Sequence, residues 1–403
     1  MNIHKTLFSI LYVFATIGVQ AQTYTILISF DGMRWDYVNR GITPNILKLK
    51  QNGVAALSLR PVFPSKTFPN HLTLVTGVYP EHHGILHNEF LNHSTGERYN
   101  VGDTNAVRNK KWYDAETIWE TAAKQGVKTA SCFWPGSDVH RSFGEPTYCK
   151  SYDPKRTYAQ RVEDALTWLQ LPTAQRPQLI TLYFEETDTQ GHLFGPHSTQ
   201  IDFAIQQMDS IVGMLVQRIN KLGLYDSTNL IIVSDHGMTE IDTSRVINIA
   251  SILGGAKVQY SGYGQVVMVQ PKHGEEEKVF SLLKKHETHY TVYKKEMMPK
   301  YYEFSDHPFI LPIILIADLG WTITNRDLTV KERMNFGKGN HGYEKDNVDM
   351  HGIFIAAGPD FKKGFQTGTL WNIDVYPLLC KLLKIASTKN MDGDIDRIQF
   401  LMH

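Results

Sequence analysis

Short apolar runs of strand length alternate along the chain with longer segments that have the apolar spacing of helices. The strand-like runs cover residues 24–30, 127–134, 179–184, 230–234 and 352–356. The helical segments cover residues 117–124, 158–169, 201–222 and 373–383. This alternation predicts an α/β sandwich with a mainly parallel sheet. Ligand-binding groups of such sheets collect at the carboxyl ends of the strands.

The stretch from about 255 to 338 has a different pattern. It contains a strand at 266–269, a charged helix at 275–285, a second strand at 291–294, a tyrosine-rich turn and an apolar run at 310–317. We expect an inserted α+β lobe here, after which the main sheet resumes at Gly352.

The amino terminus has the features of a secretory signal peptide. A basic start is followed by an apolar run at 7–17 and by small residues before a cut after Ala21. The alternative is a buried terminal strand or helix. No later segment is long and apolar enough for a membrane span, since Pro312 interrupts the best candidate at 309–317. We therefore expect residues 1–21 to be removed and the mature chain to be secreted or periplasmic.

Charge and composition exclude several classes of protein. The 41 Lys and Arg balance 41 Asp and Glu, which argues against a nucleic-acid-coating protein. The chain carries no glycine-rich phosphate loop of the Walker type. Its 17 His and 3 Cys favour imidazole ligands over thiolate zinc fingers. We expect a monomer or a weak oligomer.

The three cysteines allow one disulfide at most. Cys132 and Cys149 lie close enough in sequence to pair, whereas Cys380 sits in an apolar stretch typical of a buried thiol. Asn92 begins an N-glycosylation sequon whose use depends on the host.

Carboxylates follow three of the predicted strands. Asp31 follows the first strand, Asp188 lies just beyond the strand at 179–184, and Asp235 follows the strand at 230–234. Because parallel strands end at one edge of a sheet, these like charges would repel unless a cation lies among them. A divalent metal is the simplest such cation.

Histidines near these carboxylates strengthen the prediction of a metal site. His192 lies one helical turn after Asp188, His236 adjoins Asp235, and His341 lies in a glycine-rich loop. Asp and His are ligands that zinc accepts. Each element alone also fits an ordinary turn, a solvated helix face or a capping turn. Together they favour a metal centre.

Thr67 is the candidate nucleophile. It lies between Pro64 and Pro69, just before a helical segment at 70–76, so it is expected near a helix N-terminus that favours phosphate. A metal would lower the pKa of its hydroxyl. Without metal ligands, the same threonine would be an ordinary helix cap.

Several segments resemble the nucleotide pyrophosphatase/phosphodiesterase family of the alkaline phosphatase superfamily. The matching segments are 30–32, 66–71, 76–85, 133–138, 234–238 and 340–343. They cover nearly the whole mature chain in the family's order, and the block from Lys66 to Ile85 is the most specific. The resemblance implies an alkaline-phosphatase-like α/β sandwich with helices on both faces. It implies that residues 22–403 form a stand-alone exported phosphodiesterase catalytic domain.

The resemblance also implies the roles of individual residues. One zinc ion would be held by Asp188, His192 and His341, and a second by Asp31, Asp235, His236 and Thr67. Asn88 would donate to a phosphate oxygen. Lys66 and Phe68 flank the nucleophile on the substrate side, and Tyr152 matches the residue that stacks on a nucleobase together with Phe68.

The function that these roles imply is zinc-dependent hydrolysis of phosphodiester or pyrophosphate bonds through a covalent phosphothreonine intermediate. The expected substrates are nucleotides and their derivatives, which would release nucleoside 5′-monophosphates. The motifs around the phosphate site lack an arginine that would neutralise a monoester, which favours diesters. Two alternatives remain: a choline-phosphodiester or lysophospholipid hydrolase that uses Glu185, Glu186 and tyrosines as a cage, and a zinc-dependent binding protein without turnover.

Overall fold

The computed structural model describes residues 22–139, 144–329, 331–332 and 336–403, so the predicted signal peptide lies outside the described residues. The strands are β1 Tyr24–Phe30, β2 Val54–Ala56, β3 Leu59–Arg60, β4 Glu89–Leu91, β5 Arg98–Asn100, β6 Thr129–Cys132, β7 Tyr148–Lys150, β8 Leu179–Phe184, β9 Thr228–Val233, β10 Thr239–Glu240, β11 Val246–Asn248, β12 Val258–Tyr263, β13 Val266–Pro271, β14 Tyr290–Lys294, β15 Ile313–Ala317, β16 Thr322–Thr324, β17 Gly339–Asn340, β18 Phe354–Ala357, β19 Phe365–Thr367 and β20 Leu370–Trp371. The α-helices are α1 Pro44–Asn52, α2 Thr67–Thr76, α3 Pro80–His83, α4 Thr104–Arg108, α5 Ile118–Lys124, α6 Tyr158–Leu169, α7 Glu186–Phe194, α8 Thr199–Lys221, α9 Ile249–Leu253, α10 Glu276–Lys285 and α11 Val375–Leu383. Single 3₁₀ turns cover Tyr37–Asn39, Lys110–Trp112, Tyr225–Ser227, Lys295–Met297, Lys300–Tyr302, Val348–Met350, Asn372–Asp374, Ile395–Arg397 and Gln399–Leu401.

An eight-stranded sheet forms the centre of the molecule. Its strand order is β19-β2-β18-β9-β1-β8-β6-β7. Strand β18 runs antiparallel to β9 and β2, and the other neighbouring strands are parallel. Every residue of β1 is buried, as expected for a parallel strand covered on both faces. The prediction of a mainly parallel α/β sheet is confirmed.

Helices cover both faces of this sheet. Alternate residues of β1 point to opposite sides, so Ile26 and Ile28 pack in one apolar cluster with α1, α6 and α8. Leu27 packs in a second cluster with α2, α5 and α11. The longest helix is α8, and no helix in the described ranges combines the length and apolar character needed to cross a bilayer.

A second sheet lies within the stretch predicted as an inserted lobe. Its strand order is β12-β13-β15-β14, with every pair antiparallel, and α10 packs against β13 and β14. Strand β12 escaped prediction because it is an edge strand with mostly exposed or half-buried residues and no apolar run. The other lobe strands and α10 fall within a few residues of the expected positions.

The possible pairing of Cys132 with Cys149 is not formed, and all three cysteines are free. Strands β6 and β7 are paired, but the register places Cys149 opposite Ser131, so Cys132 points to the other face. The Cys132 thiol faces Asp164, while the Cys149 thiol faces Ser137. Burial raises the pKa of Cys132 to about 12 and that of Cys149 to about 11.

Candidate active site

The three predicted carboxylates meet at the carboxyl edge of the central sheet. Strand β1 lies between β8 and β9, so Asp31, Asp188 and Asp235 are delivered by neighbouring strands or by the helix that follows. Gly32 makes this close approach possible. Its φ is +65°, and a Cβ atom there would lie 2.9 Å from the Asp188 Cα.

The first candidate ligand group comprises Asp188, His192 and His341. The Asp188 Oδ1 lies 3.3 Å from His192 Nε2 and 3.6 Å from His341 Nε2. Helix α7 supplies Asp188 and His192 one turn apart, as predicted. His341 arrives from the loop after β17, which packs against α7. The structure brings together the three residues assigned to one metal.

The second candidate group comprises Asp31, Asp235 and His236. The His236 Nε2 lies 3.3 Å from Asp31 Oδ1 and 3.0 Å from Asp235 Oδ2. The rings of His236 and His341 stack with centroids 3.5 Å apart, so the two groups adjoin. Two further triples around Asp31 have their ligand atoms within 4.8 Å of one another: Asp31 with Asp188 and His236, and Asp31 with His71 and Asp235.

The hydrogen bonding of these residues fits a divalent cation. Asp31 Oδ1, Asp188 Oδ1 and Asp235 Oδ2 are buried without a hydrogen-bond partner. Three histidines place Nδ1 against a carbonyl oxygen: His192 on Gly339, His236 on Gly237 and His341 on Ser65. A carbonyl only accepts, so Nδ1 donates and Nε2 is the nitrogen that faces the carboxylates. Such a set of atoms is suited to holding a metal ion.

The pKa values of the three carboxylates are shifted in different directions. Burial, together with Asp235 and Asp188, raises the pKa of Asp31 well above its ordinary value. Burial also disfavours charge on Asp188, yet His192 holds the pKa of that carboxyl below its usual range. The pKa of Asp235 is likewise lowered despite burial, because His236 and His71 face it.

Thr67 lies beside the second ligand group. It is the first residue of α2, after an extended Lys66, and its Oγ1 is 3.3 Å from His236 Nε2. The prediction that Thr67 lies near a helix N-terminus agrees with the structure. In this turn Phe68 N donates to Asn88 Oδ1 at 3.0 Å, and Pro69 has no N–H. As the first residue of α2, Thr67 has no intrahelical partner for its N–H, and such a group at a helix N-terminus can bind an anion.

Asn88 lies against this turn from a separate segment. Because its Oδ1 accepts the Phe68 N–H, its NH₂ group is the end left to donate. A donor here lies next to the nucleophile, as expected for a group that binds a phosphate oxygen.

A cavity of about 220 Å³ opens beside Phe68. Phe68 and Tyr152, the two predicted stacking residues, both line it. Tyr152 is 52% exposed and contacts the edge of Phe133, with ring centroids 5.4 Å apart. Arg108 and Asp138 form an ion pair of 3.1 Å in the same wall. The cavity has the aromatic walls and polar edge suited to a flat heterocycle.

Lys66 points away from this cavity. It is buried, and its Nζ donates to Gln265 Oε1 at 2.6 Å and to the His341 carbonyl at 2.9 Å. Burial lowers its pKa to about 7. The structure thus gives Lys66 two protein partners, and Lys66 is not among the residues that line this cavity.

Two site residues escaped the sequence analysis. His71 lies on α2, with Nε2 2.8 Å from Ser29 Oγ and Nδ1 3.3 Å from Asp235 Oδ2. Tyr183 donates its hydroxyl to Asp31 Oδ2 at 2.6 Å. The available signals were a histidine inside an apolar helix and a tyrosine near the end of an apolar strand, and both patterns are common in cores.

The mainly parallel sheet carries a cluster of Asp and His residues at its carboxyl edge, and a threonine at a helix N-terminus lies beside this cluster. This combination is typical of metal-dependent phosphoryl-transfer enzymes of the alkaline phosphatase type. Residues 25–344 match the family model for type I phosphodiesterase / nucleotide pyrophosphatase. The chain belongs to this family.

Similar proteins agree with this assignment. The chain is 36% identical to human ectonucleotide pyrophosphatase/phosphodiesterase family member 1 over 91% of its length, but spans 40% of that relative. It is 35% identical to a Xenopus laevis bis(5′-adenosyl)-triphosphatase, over 94% of this chain and 81% of that protein. An inactive threonine-to-alanine variant of murine ectonucleotide pyrophosphatase/phosphodiesterase 5, solved in complex with AMP, has a TM-score of 0.88 and 32% identity, covering 95% of this chain and 100% of that one.

Proposed function

We propose that the protein hydrolyses phosphodiester and pyrophosphate bonds of nucleotides and releases nucleoside 5′-monophosphates. The observation that carries this proposal is the position of Thr67. Its Oγ1 lies 3.3 Å from His236, at a helix N-terminus, between unpartnered carboxylates and an aromatic cavity. This is the place where a nucleophile, a phosphate and a base would have to meet.

Two zinc ions would be held by the two ligand groups. Asp188, His192 and His341 would bind one ion, and Asp31, Asp235, His236 and Thr67 the other. Zinc bound there would lower the pKa of the threonine hydroxyl and neutralise charge on phosphate and leaving group. The unpartnered oxygens of the three aspartates support this assignment.

The chain's own residues account for the remaining chemistry. The Thr67 oxygen attacks phosphorus in line, the bond to the leaving alcohol or phosphate breaks, and a nucleotidyl threonine forms. Water then attacks the same phosphorus and releases Thr67 with the nucleoside monophosphate. The Asn88 NH₂ group and the Thr67 N–H donate to the non-bridging oxygens as charge grows on them. Thr67 Oγ1 and His236 Nε2 lie 3.3 Å apart, which places both atoms within reach of one shared cation.

The cavity and the relatives support a nucleotide as substrate. Phe68 and Tyr152 both line a cavity whose volume suits a base. A similar protein was solved with AMP, and another is named for hydrolysis of a dinucleoside triphosphate. The inactive threonine-to-alanine variant of the first supports a threonine nucleophile here.

The contacts of Glu185 and Glu186 weigh against a choline ester. Arg161 holds Glu185 through two bonds of 2.5 and 2.9 Å, and Glu186 accepts the Tyr158 hydroxyl at 2.7 Å. The Arg161 guanidinium neutralises Glu185, so this acid offers little free negative charge to a quaternary ammonium, and one oxygen of Glu186 is already bonded to Tyr158. An intact Thr67 likewise disfavours a binding protein without turnover.

We further propose that residues 1–21 are a signal peptide and that residues 22–403 act outside the cytoplasm as one catalytic domain with an inserted lobe at about 255–338. The separate antiparallel sheet formed by β12 to β15 supports the lobe boundaries.

A comparison of three chromogenic esters tests the function. We expect the purified protein to cleave the p-nitrophenyl ester of thymidine 5′-monophosphate at least about a hundredfold faster, in kcat/KM, than p-nitrophenyl phosphate or p-nitrophenyl phosphorylcholine, since only the first fills the aromatic cavity. Preference for the monoester would overturn the diesterase proposal. Preference for the choline ester would favour the alternative hydrolase.

A further inference from the structure

The turn between β12 and β13 in the second sheet reaches the catalytic centre. Gln265 lies in this turn, is fully buried, and places Oε1 2.6 Å from Lys66 Nζ. Its backbone oxygen accepts the Ala317 N–H at 2.8 Å, and the oxygen of Gly264 accepts the Ile323 N–H at 2.7 Å. The turn is therefore fixed on the lobe that carries it.

Lys66 connects this turn to two parts of the site. It directly precedes Thr67, and its Nζ also donates to the His341 carbonyl at 2.9 Å. Gly342 leaves room for the lysine side chain, because a Cβ atom there would lie 2.3 Å from Lys66 Cε. One buried ammonium thus joins the lobe, the nucleophile turn and the loop of a proposed metal ligand.

The same hairpin, through its strand β12, supports the segment that carries Asn88. The Tyr263 ring packs edge-on against His87, with centroids 4.9 Å apart, and His87 directly precedes Asn88. In β12, Ser261 accepts the Leu91 N–H at 2.9 Å. The turn that carries Thr67 and the segment that carries Asn88 are therefore both supported by the hairpin of β12 and β13.

We propose that Gln265 is a positioning residue, which holds Lys66 and through it sets the position of Thr67 and His341. This inference rests on the proposed function of those two residues. The Lys66 ammonium is buried, and its hydrogen-bond acceptors in the described structure are two neutral oxygens. Loss of one acceptor leaves a buried donor unsatisfied, so Lys66 moves. The turn that carries Thr67 and the loop that carries His341 then shift with it.

Three variants of the holoenzyme test the proposal. Gln265→Met removes the acceptor at similar volume, and Gln265→Glu keeps an acceptor. Gln270→Met is the control, because within the described ranges the Gln270 side chain hydrogen-bonds to the Pro271 carbonyl on the same hairpin and to no residue of the site. On the thymidine ester we expect Gln265→Met to lower kcat about tenfold with KM within about twofold. Gln265→Glu should restore most of kcat, and Gln270→Met should match wild type.

Zinc retention gives a readout that needs no turnover. A chelator titration should remove zinc from Gln265→Met at about tenfold lower chelator concentration than from wild type or Gln270→Met, since the His341 loop has lost its support. Wild-type kcat and zinc retention in folded Gln265→Met, or failure of Gln265→Glu to restore them, would overturn the proposal. If wild type itself lacked diesterase activity, the proposed function would fail, and the zinc titration alone would decide this inference.

Discussion

At the scale of single residues, Asn88 links two features of the site. Its Oδ1 accepts the Phe68 N–H, which fixes the amide so that its NH₂ group faces the phosphate position. The Oδ1 atom of Asn88 therefore has a structural role, and its NH₂ group has a role in binding phosphate. Substitutions can test these two roles separately.

We expect Asn88→Ala to lower kcat by about 10² to 10³, because a preorganised donor to the developing negative charge is lost. Asn88→Asp is the matched variant, since it still accepts from Phe68 but cannot donate when ionised. Steady-state kinetics on the thymidine ester should show Asn88→Asp at least as impaired as Asn88→Ala. Near wild-type kcat for Asn88→Asp would mean that the role of Asn88 is structural.

Site residues that belong to a short sequence motif could be predicted from the sequence. Residues that reach the site only through tertiary packing could not. Asp188 and His192 are four residues apart on α7, so their pairing follows from helical periodicity. Tyr183 reaches Asp31 only because β8 pairs with β1 in one particular register. The partner of Lys66 lies 199 positions away, at Gln265, and no local pattern indicates it.

At the scale of elements, strand identity was more predictable than strand ends. The pattern at 127–134 gave β6, but the strand stops at Cys132 because Phe133 turns into the left-handed region with φ of 68°. That turn places Phe133 in the wall of the cavity. Helix α6, at Tyr158–Leu169, has the predicted bounds and is fixed by a capping box of Thr157 and Gln160.

Helix α6 is tied to the start of α7 by an ion pair. Arg161 is buried, donates to the Tyr183 carbonyl, and binds both oxygens of Glu185, the residue before α7. We expect Arg161→Met to lower the free energy of unfolding by about 3–5 kcal/mol, because Glu185 is left uncompensated.

The double variant Arg161→Met with Glu185→Gln is the control for this pair. It should recover a large part of the loss, measured by denaturant unfolding, since the stranded charge is removed as well. Additive losses in the double variant would contradict the role of this pair.

At the scale of the whole molecule, the carboxyl-terminal segment contacts helix α3. Asp392 Oδ2 accepts the Tyr79 N–H at 2.9 Å and lies 2.6 Å from His82 Nδ1. The hydrogen bond to Asp392 raises the pKa of His82 above its ordinary value, with Glu81 and Glu303 adding to the effect. Chain segments more than 300 residues apart are joined by this contact.

This contact makes part of the stability depend on pH. The folded-state pKa of His82 exceeds the unfolded value of about 6.5, so the stabilisation is complete below that pH and is lost as pH rises through the folded-state pKa. The melting temperature of His82→Gln should therefore lie further below wild type at about pH 5.5 than at about pH 9. A difference that is constant across this range would contradict the argument, and Asp392→Asn should show the same trend as His82→Gln.

The proposed mechanism requires that Thr67 forms a covalent nucleotidyl intermediate at this site. The stereochemical course at phosphorus tests it directly, with one diastereomer of the p-nitrophenyl ester of thymidine 5′-phosphorothioate hydrolysed in ¹⁸O-labelled water. Attack by Thr67 and then by water comprises two in-line displacements, so we expect overall retention of configuration. Inversion would show a single displacement by water and would contradict the role of Thr67.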